Sequence, residues 1–243
     1  MDFVKGTIFA IDKPYRMSSF GALAHVRYLL SRRLRRKVKI GHAGTLDPLA
    51  TGVLVLCTGA MTKQIERLQS HTKEYVATLQ FGATTASYDR EHTVNHTFPK
   101  HHVTRARILS ALPQFIGDIS QVPPTYSAVK VNGDRAYELR RAGEDVVLKA
   151  KTVHVDEIEI LDFDEEEKHL AIRVVCGKGT YIRALARDLG RAVGSGAFLT
   201  SLRRTRVGDI GVADCVDFDH IGEWIERQAG QTSGDATQEN IKA

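Results

Sequence analysis

GHAGTLDPLATGVLVLCTG, residues 41–59, places one carboxylate, Asp47, among glycines and small residues just ahead of an aliphatic run. The run GVLVLC reads as an apolar strand and the residues before it as a turn. An isolated ionised aspartate beside such a strand is costly to desolvate. Asp47 therefore either faces water in the turn or has a partner and a task.

The 243 residues suffice for one large domain or two small ones. Hydrophobic residues at 42% support a real core, and 26% charged residues are ordinary for a soluble protein. The opening MDFVKGTIFAIDKP lacks a basic segment leading into an apolar one, so no signal peptide is expected. No apolar run approaches the ~20 residues of a membrane helix. Cys57, Cys176 and Cys215 are odd in number, far apart and without metal-ligand spacing, which suggests reduced thiols in a cytoplasmic protein.

The net charge of +5 is unevenly spread. Residues 16–39 contain Arg16, Arg27, Arg32, Arg33, Arg35, Arg36, Lys37 and Lys39 and no acidic residue, whereas DEIEILDFDEEE (156–167) is acidic without a base. Such asymmetry attracts a polyanion to one region and repels it from another, which would orient an approaching nucleic acid.

Moving outward, TIFAID (7–12) reads as a strand, and Ser18 or Ser19 caps a helix carrying Phe20, Leu23, Val26, Leu29, Leu30 and Leu34. Residues 61–69 read as a helix with Met61, Ile65 and Leu68 on one face, and 74–82 as an alternating strand. Residues 87–102 show no period and read as an exposed loop. A helix over 104–115 is expected to bury Ile108, Leu109, Leu112 and Phe115, with Pro113 disturbing its last turn. Residues 121–146 read as a proline-stiffened arm, a turn at Asn132-Gly133 and a short helix ended by Gly143. Strands near 151–161 and 169–176, a helix over 180–194, a strand over 198–210 and a helix near 217–228 follow. This irregular alternation points to an α+β fold with a mixed, largely antiparallel sheet flanked by helices.

Several chemistries are excluded by spacing. GHAG and CGKGT are not a phosphate-binding loop, and no dinucleotide fingerprint is present. His42 and Cys57 lack the companions of a zinc deaminase. The loop histidines His92, His96, His101 and His102 have no Cys or carboxylate pattern around them to make a metal site.

The opening stretch, through Gly41, His42, Gly44, Leu46, Asp47, Pro48 and Gly52, resembles the active-site segment of the TruB-type tRNA pseudouridine synthases. The resemblance continues through IDKP (11–14), KEYVATLQFGATT (73–85), QVPPTYSAVKVNGDRAYELRRAG (121–143), CGKGTYIRALARDLG (176–190) and LRRTRVGD (202–209). It implies a pseudouridine-synthase-like fold with RNA-binding loops, and isomerisation of uridine 55 in the T loop of tRNA, with uracil detached from N1, turned and rejoined through C5. No redox cofactor, nucleotide or metal is implied. Residues 1–228 are expected to form the catalytic domain and 229–243 a disordered tail, in a cytoplasmic monomer needing no protein partner.

By this resemblance Asp47 is the essential carboxylate, acting at the sugar or at the uracil ring of a flipped-out nucleotide. Arg183 matches the arginine that pairs with it, a role suited to the guanidinium fork. Tyr75 matches the tyrosine that stacks on the displaced base. His42 matches the residue that enters the RNA loop, with a catalytic acid–base role or a structural histidine as the alternatives, and Tyr181 and Leu202 match pocket-lining positions. Lys13, Arg203, Arg204 and the cluster Arg32–Lys37 are read as phosphate contacts, which position without specifying. Asp89 is read either as touching RNA bases or as capping its own loop.

Two departures stand out. Bacterial members of the family commonly carry a C-terminal RNA-binding domain of the PUA kind, and with 27 residues after Val216 none is expected here. Grip on tRNA is then expected from the catalytic domain, including the basic segment 16–39, with binding that weakens steeply as salt rises. Phe198 stands where relatives often have histidine. A tRNA-folding chaperone without chemistry is the alternative from a different class; a carboxylate facing RNA argues against it.

Overall fold

The aliphatic run after Asp47 forms a strand, Thr51–Thr58, in which every residue beyond Thr51 is buried. The computed structural model describes residues 1–127, 129–131 and 133–235. They divide into two compact units, one made of Met1–His71 with the segment from Arg204 onward, the other of Thr72–Arg203.

The chain begins in the first unit with β1 (Ile8–Lys13), α1 (Ser19–Arg33), β2 (Ile40–His42), β3 (Thr51–Thr58) and α2 (Ile65–Ser70). In the second unit come β4 (Lys73–Phe81), β5 (Ala83–Thr85), β6 (Val94–Thr97), α3 (Arg105–Ala111), β7 (Gly117–Gln121), β8 (Lys130–Val131), β9 (Asp134–Arg135) and α4 (Ala136–Arg141). There follow β10 (Lys151–Asp164), β11 (His169–Cys176) and α5 (Ile182–Ala192). Within β12 (Ala197–Val207) the chain returns to the first unit, which it completes with β13 (Ile210–Gly211), β14 (Val216–Asp217) and α6 (Ile221–Asp235).

In the first unit β3 pairs antiparallel with both β1 and β2, and β14 runs parallel to β1. Leu54 and Leu56 enter one core with Phe9, Ile11, Leu23 and Val26. Val53, Val55 and Cys57 enter another with Ala10, Ala43 and Leu68. Burial on both faces is the reason this strand lacks polar alternation. Burial also pushes the Cys57 thiol up to about 11, which keeps it protonated and unreactive at neutral pH. Trp224 of α6 packs against Phe9 and Phe3 with ring centroids 5.1 and 5.8 Å away.

Ser18 caps α1 by accepting from the Gly21 amide at 2.9 Å. Of its apolar residues Leu23, Val26 and Leu30 are buried, whereas Phe20 is 65% exposed, because it points away from the face that buries Ser19, Ala22 and Leu23. At its far end Arg36 N donates to Ser31 O and Arg35 N to Arg32 O, with Arg35 at φ 51°. This is a Schellman ending with arginine where glycine is usual, at a cost of about 1–2 kcal/mol. α5 closes with the same bonds on Gly194, at φ 75°.

The second unit is antiparallel throughout its main strands, β4 pairing with β11, β11 with β10 and β10 with β7. Tyr75, Ala77, Leu79 and Phe81 of β4 are buried, as are Leu170, Ile172, Val174 and Cys176 of β11, each set alternating with more exposed residues. The acidic β10 is mostly exposed and bulges twice, between Val155 and Glu157 and between Ile160 and Asp162.

Some expectations need correction. Residues 59–64 form a 3-10 turn, so only Leu68 of the expected apolar face is buried and Met61 is 37% exposed. Pro113 lies in a 3-10 turn, Leu112–Phe115, that follows α3, and Leu109 faces solvent. The stretch read as an exposed loop contains β6, paired with β5, and buries Ser87 and Asp89. Gly133 turns at φ 103° between β8 and β9, while Asn132 lies outside the described residues. The last helix runs on to Asp235; residues 236–243, within the tail expected to lack structure, lie outside the described residues. No helix among the described residues is long and apolar enough to cross a membrane.

Candidate active site

Asp47 sits half-buried in the turn between β2 and β3. Backbone bonds from Ala43 N to Val55 O (2.9 Å) and from Ala50 N to Asp47 O (3.1 Å) close that turn. From the first turn of α1, the buried Ser19 hydroxyl donates to Leu46 O at 2.9 Å and lies 2.7 Å from Leu46 N, whose proton it accepts. The residue preceding Asp47 is thereby tied to a helix.

Two buried cations brace the same turn. Lys13 Nζ donates to Met17 O at 2.6 Å, to Pro14 O at 2.8 Å and to Pro48 O at 3.4 Å. Arg204 Nε donates to Val53 O at 2.7 Å and Nη2 to Gly44 O at 3.1 Å. Their exposures are 0% and 1%. Read from sequence as phosphate contacts, they lie buried inside the first unit and donate to backbone carbonyl oxygens there. Their charge therefore acts on the Asp47 turn rather than on a surface polyanion. Burial lowers Lys13 to about 8, opposed by the Asp47 charge and reinforced by that of Arg204. Lys13 is still mostly protonated at neutral pH, so Asp47 has cationic surroundings.

His42, half-buried at the end of β2, is held below the ordinary histidine range by burial and, next, by the Arg204 charge. Its imidazole is neutral at pH 7, and its buried Nδ1 finds no partner among the described residues. Nothing in the sequence signalled this orphaned nitrogen.

The second unit holds Tyr75, Asp89, Tyr181, Arg183, Leu202 and Arg203. Arg183 is the second residue of α5 and 3% exposed. Nη1 donates to Ser87 O at 3.1 Å, Nη2 to Tyr126 O at 2.9 Å, and Nε lies 3.7 Å from Asp89 Oδ2. Asp89 is itself buried, accepting from the Ser87 hydroxyl and from Glu91 N at 2.9 Å, so its carboxylate organises its own loop. Between them Tyr88 takes the left-handed conformation, φ 59°. Tyr181 is fastened through its backbone: its N–H donates to Gln121 Oε1 at 2.8 Å and its carbonyl accepts from Gln121 Nε2 at 3.2 Å. Tyr75 belongs to the buried row of β4, and Leu202 and Arg203 are half-buried on β12.

Sequence reasoning passed over Arg187, one turn beyond Arg183. It is 7% exposed, donates to Val122 O at 2.8 Å and stacks on Tyr88 with its guanidinium carbon 5.4 Å from the ring centroid. The i, i+4 spacing in RALAR was the available signal. Arg183 and Arg187 together tie the 122–126 arm and the 87–89 loop to one helix.

The chain matches the family model "TruB family pseudouridylate synthase (N terminal domain)" over residues 32–182. It matches "tRNA pseudouridylate synthase B C-terminal domain" over residues 183–239. It is 57% identical over 231 residues to tRNA pseudouridine synthase B of Bacteroides thetaiotaomicron, covering 94% of this chain and 96% of that protein. To the protein of the same name from Phocaeicola vulgatus it is 55% identical, covering 94% and 97%. Among solved structures, a chain of a Cbf5-Nop10-Gar1 complex superposes with a TM-score of 0.66 at 27% identity. That match covers 93% of this chain and 57% of the longer Cbf5-complex chain.

Proposed function

The chain belongs to the TruB family of pseudouridylate synthases, and we propose that it isomerises uridine 55 in the T loop of tRNA to pseudouridine, with Asp47 as the essential carboxylate. The observation that carries this reading is the built turn around Asp47: a half-exposed carboxylate on a loop held by Ser19, with buried Lys13 and Arg204 beside it. A solvated surface aspartate needs no such support. A carboxylate that must meet one nucleotide in one geometry does.

In this reading the target uridine turns out of its stack to reach Asp47. Arg183, held on α5 by Ser87 and Tyr126, is the cation for Asp47 during the reaction. Tyr75 stacks on the displaced uracil, Tyr181 and Leu202 exclude water, and Arg203 meets a phosphate. His42 enters the space left by the flipped base; as a neutral ring it gives up less hydration on entering a base stack than an imidazolium would. The protein works on tRNA as a cytoplasmic monomer without a protein partner.

The test is tritium release from a tRNA transcript labelled at uracil C5, comparing wild type with Asp47→Asn. Release by wild type, absent in a variant that still binds tRNA, is the expected result. Tight binding by wild type without release would overturn the isomerase reading in favour of a chaperone.

A further inference from the structure

We propose that the groove between α1 and α6 is a second tRNA-docking surface, taking the phosphate backbone of the RNA outside the T arm. This rests on tRNA being the substrate. The groove, about 540 Å³, is lined by Leu29, Arg32, Arg33, Arg35, Ile225 and Glu226. All three arginines are exposed, and Arg36 and Lys37 continue the exposed basic run.

Glu226 pairs with Arg33 and sets that side chain against the groove wall. Arg32 and Arg35 have no acidic partner among the described residues. Helix-dipole compensation asks for one or two cations at this end, and five stand here. Arg35 also occupies the left-handed closing position of α1, where α5 uses Gly194. Glycine would satisfy the backbone better, so arginine here is explained by what its side chain meets, not by the turn.

The helix measures the separation. Ser19, at its start, is bonded to Leu46 beside Asp47, and Arg33 is its last residue. At ~1.5 Å per residue the two ends lie about 21 Å apart. RNA duplexes are A-form and rise less per base pair than the ~3.4 Å of B-DNA, so this distance spans more than about six base-pair steps. A nucleotide flipped out at Asp47 therefore leaves the groove to RNA well beyond the loop that held it. Exposed guanidinium groups with no acid against them suit phosphate oxygens and read no sequence.

The experiment measures binding of full-length tRNA and of an isolated T-arm hairpin between about 50 and about 200 mM salt, for wild type and for Arg32→Gln/Arg35→Gln. Wild type should favour full-length tRNA. The double variant should lose on the order of tenfold in affinity for it, with a salt slope lower by about 2, so that the preference over the hairpin collapses. An unchanged preference, whether both RNAs weaken alike or neither does, overturns the proposal. Arg35→Gly supplies the second reading: its melting temperature should hold or rise while full-length binding falls, and a fall in both would make Arg35 structural and count against the groove. Tritium release, run alongside, separates the two claims. Arginine-dependent full-length binding without release sinks the isomerase reading and leaves the groove; release with an unchanged preference does the reverse.

Discussion

Lys13 shows what a buried charge does at the scale of one residue. Its ammonium is fully enclosed and lowered to about 8, against an ordinary value of 10.5, chiefly by burial. Between those values the unfolded chain holds more protons than the folded one, so folding stability rises with pH across the window. The penalty of enclosing the charged form is fully present below about 8 and is relieved toward 10.5. Relative to Lys13→Met, wild type should gain on the order of 2 kcal/mol between about pH 7.5 and about pH 10. Urea unfolding of both proteins at the two pH values measures it, and a constant difference would show that Lys13 titrates normally. Keeping a cation at such a cost agrees with its place beside Asp47, since a methionine there would fill the space and leave the carboxylate with one fewer positive neighbour.

At the scale of the element, the Asp47 turn is set where β3 begins. Gly52 has φ 101°, and a Cβ there would lie 2.1 Å from the Arg204 carbonyl oxygen. Gly133 has nearly the same φ, 103°, with nothing within 4 Å of its Cβ position. The two glycines therefore separate backbone strain from close approach. Gly133→Ala should cost about 1 kcal/mol, the dihedral alone. Gly52→Ala should cost about 3 kcal/mol or more, because the Arg204 backbone must move as well. Thermal unfolding of the two variants compares them, and equal losses would show that β12 yields freely at Gly52. Displacing Arg204 also pulls its guanidinium from Val53 and Gly44, so the Asp47 turn loosens with it.

At the scale of the whole molecule the charge is divided: the basic run lies in the first unit and the acidic run on β10 and the turn after it in the second. Arg173 pairs with Glu74, Glu157 and Glu159, so part of the acidity is neutralised at its own strands. Glu165, Glu166 and Glu167 remain exposed at the turn. Replacing these three with Gln should tighten binding of unrelated RNA several-fold more than that of tRNA, as read by competition binding at low salt. Equal tightening would mean that the acidic run does not discriminate. The sequence by itself determined the features whose pattern is local: the two-sided run of β3, the alternation of β4 and β11, the serine cap of α1, and the Asp47 turn with its family resemblance. Periodicity and turn chemistry act between near neighbours, and they survive without knowledge of the rest of the chain. β6 escaped because all four of its residues are exposed, so pairing with β5 left no apolar signature. Only the tertiary structure decided that Lys13 and Arg204 face inward, that Asp89 is spent on its own loop, and that Arg187 joins Arg183. A basic side chain has the same sequence whether it meets phosphate, carboxylate or carbonyl oxygen; Arg204 and Arg187 take carbonyl oxygens 151 and 65 positions away, brought within 3 Å by the fold, and Lys13, besides its near neighbours Pro14 and Met17, reaches Pro48, 35 positions on.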